Sequence, residues 1–209
     1  MTKKEIIQKL LKDYPNPKCE LDYHSHFSLL VAVILSAQCT DKRVNSVTPV
    51  LFKKYKDVYD IEKADIADIE QIIKPCGFYH NKAKNIVECA KKIVAEYNGV
   101  VPNTRESLES LAGVGRKTAN VILSLAFNEP AIAVDTHVFR VSQRLGLSEN
   151  PKNELDCEKQ LMKVIDKKDW IKMHYILVLF GRYHCKAISP KCDQCCFAKV
   201  CRRKNGFTR

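Results

Sequence analysis

Three groups of residues in this 209-residue chain have types and spacings that could do chemistry. The first is 111-LAGVGRKTAN-120, where Gly113 and Gly115 stand just ahead of Arg116, Lys117 and Thr118. Glycines allow a tight turn whose backbone N–H groups face an anion, so the run is suited to a phosphate. A Walker A loop needs glycine immediately before its lysine, where Arg116 stands. A dinucleotide fingerprint needs a third glycine at Thr118 and a preceding strand, and the preceding segment reads as helix. Both are excluded. A glycine turn between two helices remains, either a seat for a nucleic-acid backbone phosphate or a plain helical corner.

Lys117 raises a separate question. A lysine amine has a pKa near ~10.4 and is a nucleophile only once it has lost its proton. A place in the first turn of a helix disfavours the ammonium, and burial in a cleft would disfavour it further. The second group centres on Asp135 in 131-AIAVDTHVFRVSQRLGL-147. It sits where a helix N-cap belongs, and a carboxylate accepting backbone N–H bonds stays ionised. The third is 185-CKAISPKCDQCCFAKVC-201, in which Cys185, Cys192, Cys195 and Cys201 read as C-x6-C-x2-C-x5-C. Four thiolates suit zinc or an iron–sulfur cluster equally well. Cys196 is an extra thiol beside one of them. A chain that crowds half of its 10 cysteines at one end fits metal binding better than a disulfide scaffold.

Helices must carry these residues. Apolar residues recur at helical spacing nearly everywhere and no run alternates like a strand, so the expected fold class is all-α. Residues 3–14 form an amphipathic helix closed by Pro15. The run 27-FSLLVAVILSAQ-38 is apolar nearly all round and should be a buried central helix. Further helices are expected at about 43–55 and 65–74. In 82–99, Ile86, Cys89, Ala90 and Ile93 share one face and lysines the other, with a C-cap at Asn98-Gly99. Thr104 caps a helix through Leu111, the glycines break it, and a second helix runs from Arg116 to Phe127. Helices follow from Asp135 to Leu147 and at about 154–167 and 169–183. A weak echo of helix, glycine turn and helix occurs at 69–87.

Lys+Arg 35 against Asp+Glu 24 gives a net charge of +11, which favours a polyanionic partner, nucleic acid before membrane. Only 7 glycines disfavour a turn-rich all-β chain. The first residues carry scattered charges and no small-residue cleavage site. The longest apolar run falls well short of the ~20 residues that cross a bilayer. The expectation is a soluble, cytoplasmic or nucleoid-associated monomer with no membrane partner.

LAGVGRKTANVILSLAF followed by AIAVDTHVFRVSQRLGL, with 35-LSAQCTD-41 and the cysteine tail, resembles the endonuclease III family of helix-hairpin-helix DNA glycosylases. The resemblance spans essentially the full length. It implies a two-lobed all-α fold, with residues 22–131 forming a six-helix lobe that carries the hairpin. Residues 1–21 and 132–209 would form a discontinuous lobe whose Cys185, Cys192, Cys195 and Cys201 hold a [4Fe–4S] cluster. The implied partner is double-stranded DNA containing damaged bases or abasic sites, lying in a cleft with Lys117 on one wall and Asp135 near the junction on the other. The implied activity is excision of oxidised or ring-saturated pyrimidines, followed by β-elimination at the abasic site.

By the same resemblance Lys117 is the amine that attacks the sugar C1′ and forms a Schiff base. Asp135 stabilises oxocarbenium character and helps to deprotonate Lys117. Gly113, Gly115, Arg116 and Thr118 contact DNA, and Gln38 and Phe78 fill the gap left by a flipped nucleotide. Ser36, Asp41 and His137 line the lesion pocket. The basic residues around the cysteines imply a DNA-contacting loop. The chain departs from the family at Phe78, where Leu is usual, and at Ala112, where Pro is usual. Adenine glycosylases of the same superfamily lack a lysine at position 117. Pyrimidine-dimer glycosylases keep both Lys and Asp and fit the same residues. A non-catalytic binding module would need neither.

Overall fold

The computed structural model describes residues 1–203, and every regular element among them is helical. In chain order these are α1 (Lys3–Asp13), α2 (His26–Ser36), α3 (Asp41–Lys54), α4 (Val58–Glu62), α5 (Ile66–Ile73) and α6 (Tyr79–Tyr97). They continue as α7 (Arg105–Glu109), α8 (Arg116–Ala126), α9 (Thr136–Arg144), α10 (Glu154–Val164) and α11 (Trp170–Tyr183). Short 3-10 turns lie at Lys74–Cys76, Lys167–Asp169 and Cys192–Gln194.

Local chemistry sets most helix starts. Thr2 and Ser25 form capping boxes with Glu5 and Ser28, while Thr40, Thr104, Asp135 and Asn153 each accept an N–H from the first turn of the helix they open. At the other end of α6, Asn98 is left-handed at φ 52° and Gly99 follows at φ 80°. A Cβ on Gly99 would lie 2.3 Å from the Tyr59 hydroxyl oxygen, so glycine is required there by space as well as by backbone.

The chain divides into two compact units, Glu20–Phe127 and Met1–Cys19 with Asn128–Arg209. Residues 204–209, assigned by expectation to the cluster lobe, lie outside the described residues. In the first unit α2 is the centre, and every residue from Phe27 to Leu35 is buried. In the second, Ile6 and Leu10 of α1 pack with Val138, Val141, Leu161, Ile176, Leu177 and Phe180 around one core. Phe197, in the cysteine loop, joins that core edge-on to Phe180 with ring centroids 5.8 Å apart. One aromatic anchor thus ties the loop to the helices.

Four expectations need correction. Helix α2 stops at Ser36, so Gln38 lies beyond it with a left-handed φ of 52°. Helix α6 begins at Tyr79, three residues before the apolar period becomes readable, because Phe78 at φ 47° turns the chain directly into it. Helix α4 has only five residues and is held by its Asp57 cap, too short to show a period. Lys82 does not belong to the solvent face with the other lysines of α6; it is buried.

Candidate active site

Helices α7 and α8 meet at the glycine turn. Gly113 has φ 77°, and a Cβ there would lie 3.0 Å from Asn85 Cβ on α6, so this position needs glycine twice over. Gly115 is the N-cap of α8, extended rather than left-handed, and makes no side-chain cap. The N–H groups of the first turn of α8 therefore face outward with no side chain laid across them. Arg105 on α7 donates to the Asn120 side chain on α8, bracing the hairpin from behind. Arg116 and Lys117 are exposed and Thr118 half-buried in that first turn. The exposed Lys117 stands at the positive end of that helix.

Helix α9 links the aspartate to the cysteines. Asp135 Oδ1 accepts the N–H of Val138 at 2.8 Å, which fixes one carboxylate oxygen as a cap. On the same helix Arg140 donates from Nε to the Cys185 carbonyl at 3.1 Å and from Nη2 to the Gly181 carbonyl at 2.9 Å. A Cβ on Gly181 would lie 2.9 Å from His137 Cβ, so glycine lets α9 and α11 approach this closely. Arg144 donates from Nη1 to Cys185 Sγ at 3.4 Å and to the Lys186 carbonyl at 2.8 Å. Arg140 and Arg144 escaped the sequence reading. Their signal was the i, i+4 spacing of two arginines on a helix leading to the cysteine segment.

Cys185, Cys192, Cys195 and Cys201 line one pocket together with Arg144, Phe180 and His184. No three His, Cys, Asp or Glu side chains among the described residues converge on a single-ion site. The donor set nevertheless suits a larger thiolate-bound group. Four sulfurs share one space, an arginine already points at one of them, and His184 Nε2 is a buried polar atom with no hydrogen-bond partner. Burial pushes the Cys195 thiol up from its ordinary value, so a thiolate there needs a positive partner. Cys196 lies apart, exposed, with Sγ 3.9 Å from Asp13 Oδ2 on α1.

Gln38 and Phe78 are both exposed and both left-handed, a backbone state that costs a non-glycine residue about 1–2 kcal/mol. Phe78 is 65% exposed and so is not part of the core. Between their two loops lies Lys82, whose Nζ donates to the Leu35 carbonyl at 2.9 Å and the Cys76 carbonyl at 3.0 Å. Ser36 Oγ turns back to the Val33 carbonyl at 2.8 Å, Asp41 opens α3, and His137 Nδ1 lies 3.2 Å from Arg140 Nη2. Ser36, Asp41 and Gln38 thus share the unit that holds Lys117, whereas His137 shares α9 with the Asp135 cap.

The family model of the HhH-GPD superfamily of base excision DNA repair proteins matches residues 31–167, a span that includes both the glycine hairpin and the Asp135 cap. The chain is 50% identical to endonuclease III of Bacillus subtilis over 94% of its own length and 90% of that protein. It is 40% identical to endonuclease III of Escherichia coli K12, with 96% and 94% covered. It belongs to the endonuclease III family. A structure of endonuclease III trapped as a covalent intermediate with DNA superposes with a TM-score of 0.94 at 47% identity, covering 98% of both chains. A thermostable thymine-DNA glycosylase shares the fold at TM-score 0.86 and 23% identity.

Proposed function

We propose that this protein is a bifunctional base-excision-repair enzyme that removes oxidised pyrimidines from double-stranded DNA and then cleaves the strand at the abasic site. The observation that carries the reading is Lys117, an exposed amine in the first turn of the uncapped helix α8, directly after the glycine turn. A phosphate seated on the N–H groups after Gly113 and Gly115 would bring the neighbouring sugar to that amine. Arg116 and Thr118 add charge and a hydroxyl beside the same seat. Bound DNA would supply the desolvation that the free protein lacks around Lys117.

The chemistry follows from an amine and a carboxylate. Lys117 gives up a proton, for which Asp135 is the acceptor, and its Nζ forms a bond to C1′ as the bond from C1′ to the base breaks. The base leaves with a proton, and the ring oxygen takes a proton as the sugar opens to the Schiff base. Loss of a C2′ proton then expels the 3′ phosphate, and water releases Lys117. Asp135 Oδ1 is engaged in its helix cap, so Oδ2 is the oxygen that faces developing positive charge on the sugar. Gln38 and Phe78 fill the space vacated by the flipped nucleotide, and Ser36, Asp41 and His137 line the pocket that receives it.

Cys185, Cys192, Cys195 and Cys201, which line one pocket, are the proposed ligands of a [4Fe–4S] cluster, the group that their endonuclease III spacing implies. When bound, such a group cross-links the loop and leaves its lysines to meet DNA phosphates. On this reading residues 22–131 work as the hairpin lobe and 1–21 with 132–209 as the cluster lobe, in a monomer with no membrane partner. No helix among the described residues is long and apolar enough to cross a membrane.

Duplexes bearing a thymine glycol, a cyclobutane pyrimidine dimer or an abasic site test the assignment. The expected result is excision and strand cleavage with thymine glycol, cleavage of the abasic site, and little action on the dimer. Cleavage of the abasic site alone would leave the lyase and remove the glycosylase. Preference for the dimer would move the substrate class.

A further inference from the structure

Lys82 has no part in the chemistry above, yet it is the buried lysine of the hairpin-bearing unit, 5% exposed. Burial pushes its ammonium down from the ordinary lysine value, with the Cys39 and Cys76 thiols opposing that shift. A lowered lysine pKa is also what an amine nucleophile needs. Its geometry says otherwise, because Nζ is committed to two carbonyls inside the protein.

The identity of those carbonyls is informative. Helix α2 ends with four carbonyls that no helical N–H can reach. Val33 accepts from Ser36 Oγ, Ile34 from the N–H of Ala37, and Ser36 from the N–H of Cys39. The fourth, Leu35, accepts from Lys82. The other partner, Cys76, closes the 3-10 turn Lys74–Cys76. Beyond each of these two ends, the chain enters the loop that carries a left-handed, exposed residue, Gln38 after α2 and Phe78 after the turn. A positive group at the C-terminal end of α2 is also favoured by the helix dipole. Lys82 therefore spans the roots of both loops, and Phe78 is the N-cap of the helix α6 that carries it, with its carbonyl accepting the Lys82 N–H at 3.1 Å.

We propose that Lys82 is a positioning residue that fixes the spacing and direction of Gln38 and Phe78, so that the two enter the duplex as one wedge. The proposal rests on the reading of Gln38 and Phe78 as gap-filling residues. It separates two demands on the enzyme. Extrusion of a paired base needs both side chains held in register, whereas attack by Lys117 on an already unstacked abasic sugar does not.

The test uses Lys82→Met, close in shape and without charge or donors, and Lys82→Arg, which keeps both. In the first assay, 2-aminopurine opposite a tetrahydrofuran abasic-site analogue in a duplex reports insertion with no chemistry involved. In the second, thymine glycol excision from duplex is compared with cleavage of an abasic site in single-stranded DNA. Lys82→Met should lose most of the insertion signal and about 100-fold of the duplex excision rate, the size expected for a displacement near 1 Å. Single-strand cleavage should stay within about 3-fold, and Lys82→Arg should recover part of the insertion signal. Combining Lys82→Met with Phe78→Ala should add little to Phe78→Ala alone. Equal loss on both substrates, an unchanged insertion signal or additive effects in the double variant would overturn the proposal. If Lys82→Met fails to fold, Lys82→Gln, uncharged and with a shorter reach than lysine, carries the same comparison. A wild-type protein that inserts but excises nothing would instead count against the assigned activity.

Discussion

Replacing Asp135 by Asn and by Ala separates its two duties. Oδ1 caps α9 by accepting the Val138 N–H at 2.8 Å, and Asn caps a helix about as well as Asp. Asp135→Asn should therefore fold with nearly wild-type stability. It removes the negative charge that the proposed mechanism uses to accept a proton from Lys117 and to face the sugar. General base assistance of this kind contributes about 100- to 10,000-fold, so excision of thymine glycol should slow by a factor in that range. Asp135→Ala loses the charge and the cap together. Loss of a cap costs about 1 kcal/mol, which in a protein of this size lowers Tm by about 2–4 °C. Single-turnover excision from a thymine glycol duplex measures the first effect, and thermal unfolding followed by circular dichroism measures the second. The two variants should match in rate and differ in Tm. An Asp135→Asn enzyme as fast as wild type would refute the role of the charge, and equal Tm values for the two variants would refute the cap.

Three further outcomes follow from the geometry. Phe78→Gly and Phe78→Ala should both lose duplex excision, but the glycine variant should be the more stable by about 1 kcal/mol, because only glycine relieves the φ of 47°; denaturant unfolding distinguishes them. Gly113→Ala should destabilise by about 1 kcal/mol or more, given its φ of 77° and Asn85 at 3.0 Å, whereas Gly115→Ala has open space and ordinary backbone and should cost at most about 1 kcal/mol; thermal melts and DNA-binding titrations check both. Cys185→Ser should lower iron content and visible absorbance, while Cys196→Ser, whose sulfur lies outside the pocket, should leave both unchanged; metal analysis and absorption spectra decide.

What could be read in advance depended on whether a residue's role was local. The all-round apolar run of α2, the Asp135 cap and the glycine turn each state their purpose within a few residues, and each is found in the fold. Roles that depend on contacts distant in sequence stayed hidden. Lys82 reads as one lysine among several on α6, and only its contact with Leu35, 47 positions away, shows that it faces inward. Arg144 reads as the basic last turn of α9 until its approach to Cys185 Sγ is seen. The left-handed backbone of Gln38 and Phe78 has no sequence signature, since neither is Gly, Asn or Asp.

The most direct measurement is reductive trapping. Incubating the protein with an abasic-site or thymine glycol duplex and sodium borohydride should give a covalent protein–DNA adduct. Peptide mapping should place the attachment at Lys117, and the adduct should disappear in Lys117→Ala while persisting in Lys82→Met. An adduct that survives Lys117→Ala, or one mapped to another amine, would contradict the account.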